Sequence, residues 1–123
     1  MSINEPEYIF KAKILRIVDG DTFDAIADLG FGITSTQRFR LKGVDTPETW
    51  RPSSEAEATH GKLATEYVRS LIENKTVLLK TYKDRASFGR YIADLWLLDS
   101  DNRPVNDLGV LLEKQGLLKL DNY

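Results

Sequence analysis

Cysteine is absent from the chain, which excludes disulfide scaffolds and cysteine-ligated zinc or iron–sulfur centres. Histidine occurs once, at His60, so a multi-histidine metal site is excluded as well. A Ser-His-Asp triad would have to use that one residue, and no Gly-x-Ser-x-Gly run accompanies it. No window approaches the eighteen or so apolar residues of a membrane span. Met1-Ser2-Ile3-Asn4-Glu5-Pro6-Glu7 is acidic and lacks the basic region and apolar stretch of a secretion signal. The expectation is a cytoplasmic protein, secreted only if a leader was removed. Without secretion, the sequon Asn74-Lys75-Thr76 carries no weight. Repeats, low-complexity tracts and linkers are also missing. Whatever chemistry runs here must use carboxylates, arginines, the backbone and, where needed, a hard metal.

What is present is ordinary globular composition: 123 residues, 41% hydrophobic and 29% charged. A single domain over residues 1–123 is expected, burying roughly two thirds of its unfolded surface in one core. The formal net charge of −2 looks unpromising for a nucleic-acid binder, but the charge is uneven. Residues 1–36 and 91–123 each carry −3, whereas residues 37–90 carry +4. A basic middle between acidic ends suits a local anionic ligand; solvated faces of unequal sign explain it equally simply.

Tyr8 to Val18 alternates apolar residues at Tyr8, Phe10, Ala12 and Ile14, which predicts a strand. Asp19-Gly20-Asp21-Thr22 is a turn by composition, and Phe23 to Ala27 resumes the alternation. Leu29-Gly30-Phe31-Gly32 reads as a loop and Thr36 to Leu41 as a third strand. From Glu55 the period changes. Leu63, Ala64, Tyr67, Val68, Leu71 and Ile72 make a helical stripe, with Ser54 as its N-cap. Thr76 to Tyr82 and Tyr91 to Leu98 read as strands separated by a polar loop over 83–90. Val105, Leu108, Leu111 and Leu112 suggest a second helix closed by Gly116. Five strands with a helix after the third is the pattern of a small five-stranded OB-fold barrel. A generic α+β sheet is the alternative.

Two acidic segments end predicted strands: Asp19-Gly20-Asp21-Thr22 and Val44-Asp45-Thr46-Pro47-Glu48. Asp21 and Asp45 would offer two carboxylates to a hard divalent cation if the first and third strands end at one rim. Asp-Gly-Asp is equally a plain hairpin turn. It is not an EF-hand loop, because the fifth, sixth and twelfth positions are Phe23, Asp24 and Gly30. Arg40 and Arg90 suit bidentate contact with phosphate oxygens, the usual answer to charge building on a phosphoryl transition state. Each could instead pair structurally with a carboxylate. Glu48 could act as general base on a water, or be an ordinary loop carboxylate. His60 is expected to be exposed or in a helix-end contact. Trp50 and Trp96 are expected to pack, although Trp50 could stack on a base.

Together these segments resemble the staphylococcal-nuclease-like (thermonuclease) family. The resemblance rests on Val18-Asp19-Gly20-Asp21-Thr22, on Phe39-Arg40-Leu41-Lys42-Gly43-Val44-Asp45-Thr46-Pro47-Glu48, on Phe88-Gly89-Arg90 and on Gln115-Gly116-Leu117. It covers residues 8 to 120, nearly the whole chain. It implies an OB-fold barrel with added helices and a Ca2+-dependent phosphodiesterase acting on DNA and RNA. It implies that Asp21, Asp45 and the carbonyl of Thr46 bind calcium, with Asp19 close by through water. Glu48 would orient or deprotonate the attacking water, Arg40 and Arg90 would clamp the scissile phosphate, and products would carry a 3′-phosphate.

The chain also departs from that pattern. Residues 30–35 hold an insertion that extends the second hairpin. Ser87 and Phe88 stand where secreted relatives have Lys-Tyr, losing a charge and a phenolic hydroxyl that help hold a nucleotide phosphate. Lys83 and Arg85 lie nearby to compensate, and Tyr123 falls near a base-stacking tyrosine of those relatives, whose third helix is missing here. Two functions are therefore weighed: a Ca2+-dependent nuclease favouring single strands, and a non-catalytic OB-fold module binding nucleic acid or protein. The retained set of Asp21, Arg40, Asp45, Glu48 and Arg90 favours the enzyme. A monomer is the default.

Overall fold

The computed structural model describes residues 6–86 and 89–123. Elements follow in the order β1 (Tyr8–Asp19), β2 (Thr22–Gly30), β3 (Ile33–Leu41), α1 (Glu55–Ile72), β4 (Thr76–Arg85), β5 (Tyr91–Leu98), β6 (Pro104–Asp107) and α2 (Leu108–Lys114). β1 is long enough to serve two neighbours, pairing with β4 through Tyr8–Lys13 and with β2 through Ala12–Asp19. Register shifts between Ile14 and Arg16 and between Ile17 and Asp19 bend it, as bulges do in strands that wrap a barrel. The sheet closes where β3 meets β5 in parallel, Phe39 to Leu41 facing Tyr91 to Ala93. The result is a closed five-stranded mixed barrel with two helices, as the residue pattern and the resemblance predicted, and β6 added at the free edge of β5. Among the described residues no helix is long and apolar enough to cross a membrane.

The inward residues of all five barrel strands meet in one core, with Phe23 stacked on Phe39 at 5.7 Å between ring centroids. α1 packs on β1 and contributes Ala64, Val68 and Ile72 to that core. Full burial of a side chain the size of Val68 or Ile72 is worth about 1.5–3 kcal/mol. Ser54 caps α1 as expected, its hydroxyl accepting the Glu57 N–H at 3.1 Å. α2 ends at Gly116, where Leu117 N–H reaches Leu112 O and Gly116 N–H reaches Glu113 O, closing a Schellman motif.

Four expectations need correction. The second hairpin is longer and its loop shorter than Leu29 to Ser35. β2 and β3 run out to Gly30 and Ile33, joined by Phe31-Gly32 with φ of 58° and 71°. Positive φ at both central residues matches the right-handed strand twist, but Phe31 does there what Asn or Gly usually does. The side chain of Phe31 is wholly exposed. Val105 belongs not to the second helix but to β6, since Asp107 caps α2 by accepting the Val110 N–H. β4 continues to Arg85, through what the composition made a loop. Leu63 faces solvent, because α1 is rotated to turn Glu57, Gly61 and Thr65 inward.

Candidate active site

Asp19, Asp21, Arg40, Asp45 and Arg90 gather at one rim, where β1 turns into β2 and β3 runs out. β2 and β3 place Thr22 opposite Arg40, and the closing ladder places Arg40 opposite Ile92, two residues beyond Arg90. Arg90 reaches back across the seam, its Nη1 donating to Thr22 Oγ1 at 3.3 Å. The guanidiniums of Arg40 and Arg90 thereby line one cleft of about 540 Å³, with Lys42, Val44, Asp45 and Ile92.

Asp21 is nearly buried. Its Oδ2 accepts the Thr46 N–H at 3.1 Å, its Oδ1 accepts the Thr22 hydroxyl at 3.0 Å, and its carbonyl takes the Leu41 N–H at 2.9 Å. These bonds tie the β1–β2 turn to the segment after β3. Gly20 permits the approach: a Cβ there would stand 2.8 Å from Thr46 Cγ2. Arg40 braces the same segment by donating through Nη1 to the carbonyls of Leu41 and Val44. Its Nη2 pairs with Asp45 and stands 3.6 Å from Asp21 Oδ2.

The Asp19 and Asp21 carboxyls share this crowded space. Burial pushes the Asp19 carboxyl up, hydrogen bonding to Asp21 and the charge of Asp21 push it further, and it reaches about 7. Burial also opposes ionisation of Asp21. The hydrogen bond from Asp19, the Thr46 N–H, the Arg40 guanidinium and the Thr22 hydroxyl outweigh that and hold Asp21 below the usual carboxylate range. Ionising the second carboxyl of this pair is therefore opposed by the first.

The rim offers only oxygen donors, from Asp19, Asp21, Asp45 and the Thr46 carbonyl, the type that hard divalent cations select. One Arg40 nitrogen pairs with Asp45 and stands 3.6 Å from Asp21, so the guanidinium sits between these two carboxylates. Among the described residues no three His, Cys, Asp or Glu side chains form a ready-made cluster. A cation here would rest on two carboxylates, a carbonyl and water. Glu48 follows two residues after Thr46 and is exposed, outside the residues that line the cleft.

The remaining expected residues scatter. Lys83 lines a different cavity, of about 330 Å³, among Tyr8, Phe10, Phe39 and Tyr82 at the other mouth of the barrel. Tyr123 places its hydroxyl 2.7 Å from Nδ1 of His60, whose Nε2 meets the Gly116 carbonyl at 2.8 Å, a contact at the α2 end as expected for His60. Phe88 lies outside the described residues, as does the side chain of Arg85. Trp50 is 72% exposed with Arg51 over its ring at 4.6 Å, so it does not pack as expected.

Sequence reading missed Glu57, which lies beneath this rim and is only 1% exposed. Its Oε1 accepts the Ser53 N–H at 2.7 Å and its Oε2 the Glu48 N–H at 3.2 Å, while Lys119 Nζ stands 3.6 Å away. The Ser53 hydrogen bond leads the causes that hold this carboxyl down at about 2, against its burial. Ser54-Glu55-Ala56-Glu57 is a capping-box pattern, and that signal was available.

A family model described as staphylococcal nuclease homologue matches residues 38–120. A thermonuclease of Staphylococcus hyicus is 36% identical over 97 residues, covering 76% of this chain and 50% of that protein. A thermonuclease of Staphylococcus intermedius is 32% identical over 111 residues, covering 89% of this chain and 59% of that protein. The chain thus spans between half and three fifths of these relatives.

Proposed function

The chain belongs to the staphylococcal nuclease homologue family, and from that premise we propose that it is a Ca2+-dependent nuclease. It hydrolyses phosphodiester bonds of DNA and RNA, prefers single strands and leaves 3′-phosphate ends. The observation that carries this reading is the meeting of Arg40, Arg90 and Asp45 in one cleft, with Asp21 Oδ2 3.6 Å from the Arg40 guanidinium.

A scissile phosphate in that cleft takes guanidinium donors from both arginines, which neutralise the charge that grows on its non-bridging oxygens. Glu48, exposed and two residues beyond Thr46 in the chain, orients a water and takes its proton as the water oxygen bonds to phosphorus. The bond to the 5′-oxygen breaks and that oxygen takes up a proton, so phosphate stays on the 3′ side. Asp21, Asp45 and the Thr46 carbonyl would hold calcium, with Asp19 near it through water. Bound there, calcium would supply a Lewis acid to the phosphate oxygens. Single strands suit an open cleft because their backbone bends freely toward it.

The test is hydrolysis of heat-denatured DNA and of RNA, with millimolar calcium or a chelator, beside Glu48→Ser. Cutting that needs calcium and that the variant lacks supports the enzyme and its metal together. A folded protein that binds either polymer and cuts neither would be a binding module instead.

A further inference from the structure

We infer that Glu57 and Gly61 on α1 are positioning residues for Glu48, α1 serving as the anvil on which the loop after Pro47 is shaped. This rests on the nuclease reading above for its kinetic consequence, and on geometry alone for its structural one.

Glu48 is exposed and sits in a segment without regular structure, so nothing about its own surroundings fixes where its carboxylate points. Its backbone is nevertheless gripped from below. Glu57 accepts the Glu48 N–H and, with its other oxygen, the Ser53 N–H, so one buried carboxylate pins both ends of the loop between them. A carboxylate with two such amide donors holds them more rigidly than a neutral acceptor, because charge-assisted hydrogen bonds are the stronger ones. One turn further along α1, Gly61 presents bare backbone to the same loop. A Cβ there would meet the Pro47 carbonyl oxygen at 2.8 Å, and the Glu48 carbonyl oxygen and Thr49 Cγ2 both at 3.0 Å. Two residues one helical turn apart thus act on one peptide segment, one by holding amides and one by leaving room for carbonyls. Lys119 closes the arrangement from the C-terminal side, with Nζ beside Glu57 and its N–H donating to the Asp45 carbonyl at 2.8 Å.

The experiment compares Glu57→Gln, Gly61→Ala, Glu48→Ser and the two double variants Glu48→Ser/Glu57→Gln and Glu48→Ser/Gly61→Ala. Glutamine keeps the shape but offers one acceptor oxygen to two N–H groups, and alanine favours the helix while its Cβ pushes on the loop backbone, so thermal melts of each variant first establish that it is folded at the assay temperature. In the wild-type background each change lowers kcat about 10- to 100-fold with KM within about threefold, the cost of a misplaced catalytic group. In the Glu48→Ser background neither change lowers kcat further, because there is no carboxylate left to misplace. Losses that multiply across the backgrounds would overturn the proposal, showing that α1 acts on something else. Amide exchange supplies a reading free of catalysis. The Glu48 and Ser53 amides exchange at least about tenfold faster in Glu57→Gln while the rest of α1 keeps its protection. Unchanged exchange at both amides would overturn the proposal. If the wild type cuts no polymer, the nuclease reading fails and the exchange result still decides whether Glu57 holds the loop.

Discussion

Asp19 and Glu57 are both carboxyls withdrawn from water within one small rim, and they titrate in opposite directions. Asp19 is the less buried of the two, yet it is pushed up to about 7; Glu57 is almost wholly enclosed, yet it is held at about 2. The difference is what each one faces. Glu57 meets two amide donors and an ammonium, each of which favours the anion. Asp19 receives the Asp21 N–H but also faces the Asp21 carboxylate, and like charge at that range favours the acid. Burial sets the stakes in both places, and partners decide the sign. The carboxyl that meets donors is held as the anion; the one that faces a second carboxylate is held toward the acid.

The sharpest way to break this comparison is at its catalytic edge. Glu48→Ser and Arg90→Ala are expected to cut turnover by about 10³-fold or more, with melting temperatures within a few degrees of the parent. Full activity in either variant would remove that residue from the mechanism. Glu57→Ala should do the converse at the scaffold, lowering the melting temperature by on the order of 10 °C by stranding two amide donors. A variant that melts with the parent would show that water replaces the carboxylate without cost. Asp21→Ala is expected to weaken calcium binding in calorimetry by about tenfold or more, while oligonucleotide affinity in chelator stays within about threefold.

Smaller effects test the two titrations. The folded-state value of Asp19 lies above its ordinary 3.8, so the stability it contributes is full below that pH and is lost as pH rises toward about 7. Asp19→Asn in metal-free protein should therefore stabilise by on the order of 2 kcal/mol at pH 8, with the gain gone below about pH 4. Glu57 runs the other way. Its contribution is full above its ordinary 4.5 and is lost as pH falls toward about 2. Denaturant melts between pH 2 and 5 should slope more gently in Glu57→Gln than in the parent.

The barrel and the chemistry were legible in the chain for different reasons. Period-two runs announced the barrel strands, because one face of each is buried. Asp21, Arg40, Asp45 and Arg90 stood out by residue type and spacing, and folding brings them to one rim. What stayed hidden depended on distance or on weak local signals. Phe31 at the hairpin tip obscured a two-residue turn, since an aromatic with positive φ contradicts its propensity. β6 escaped because four residues opening on Pro104 make an edge strand with no alternation to read. The outward turn of Leu63 and the inward turn of Glu57 could not be ranked by hydropathy. A charged residue goes inside only when donors await it, and those donors belong to a loop four to nine residues back.

The three-residue parallel ladder between β3 and β5 has one more effect. It joins chain segments some fifty positions apart, with Arg40 at its centre and Arg90 just before its first residue on β5. No partly folded chain can own the cleft, because half of its wall arrives only when that seam zips shut. Contacts of such long sequence separation are the slow ones to form. Recovered turnover during refolding should therefore lag the recovery of helical signal, making catalysis a stopwatch for the last step of assembly.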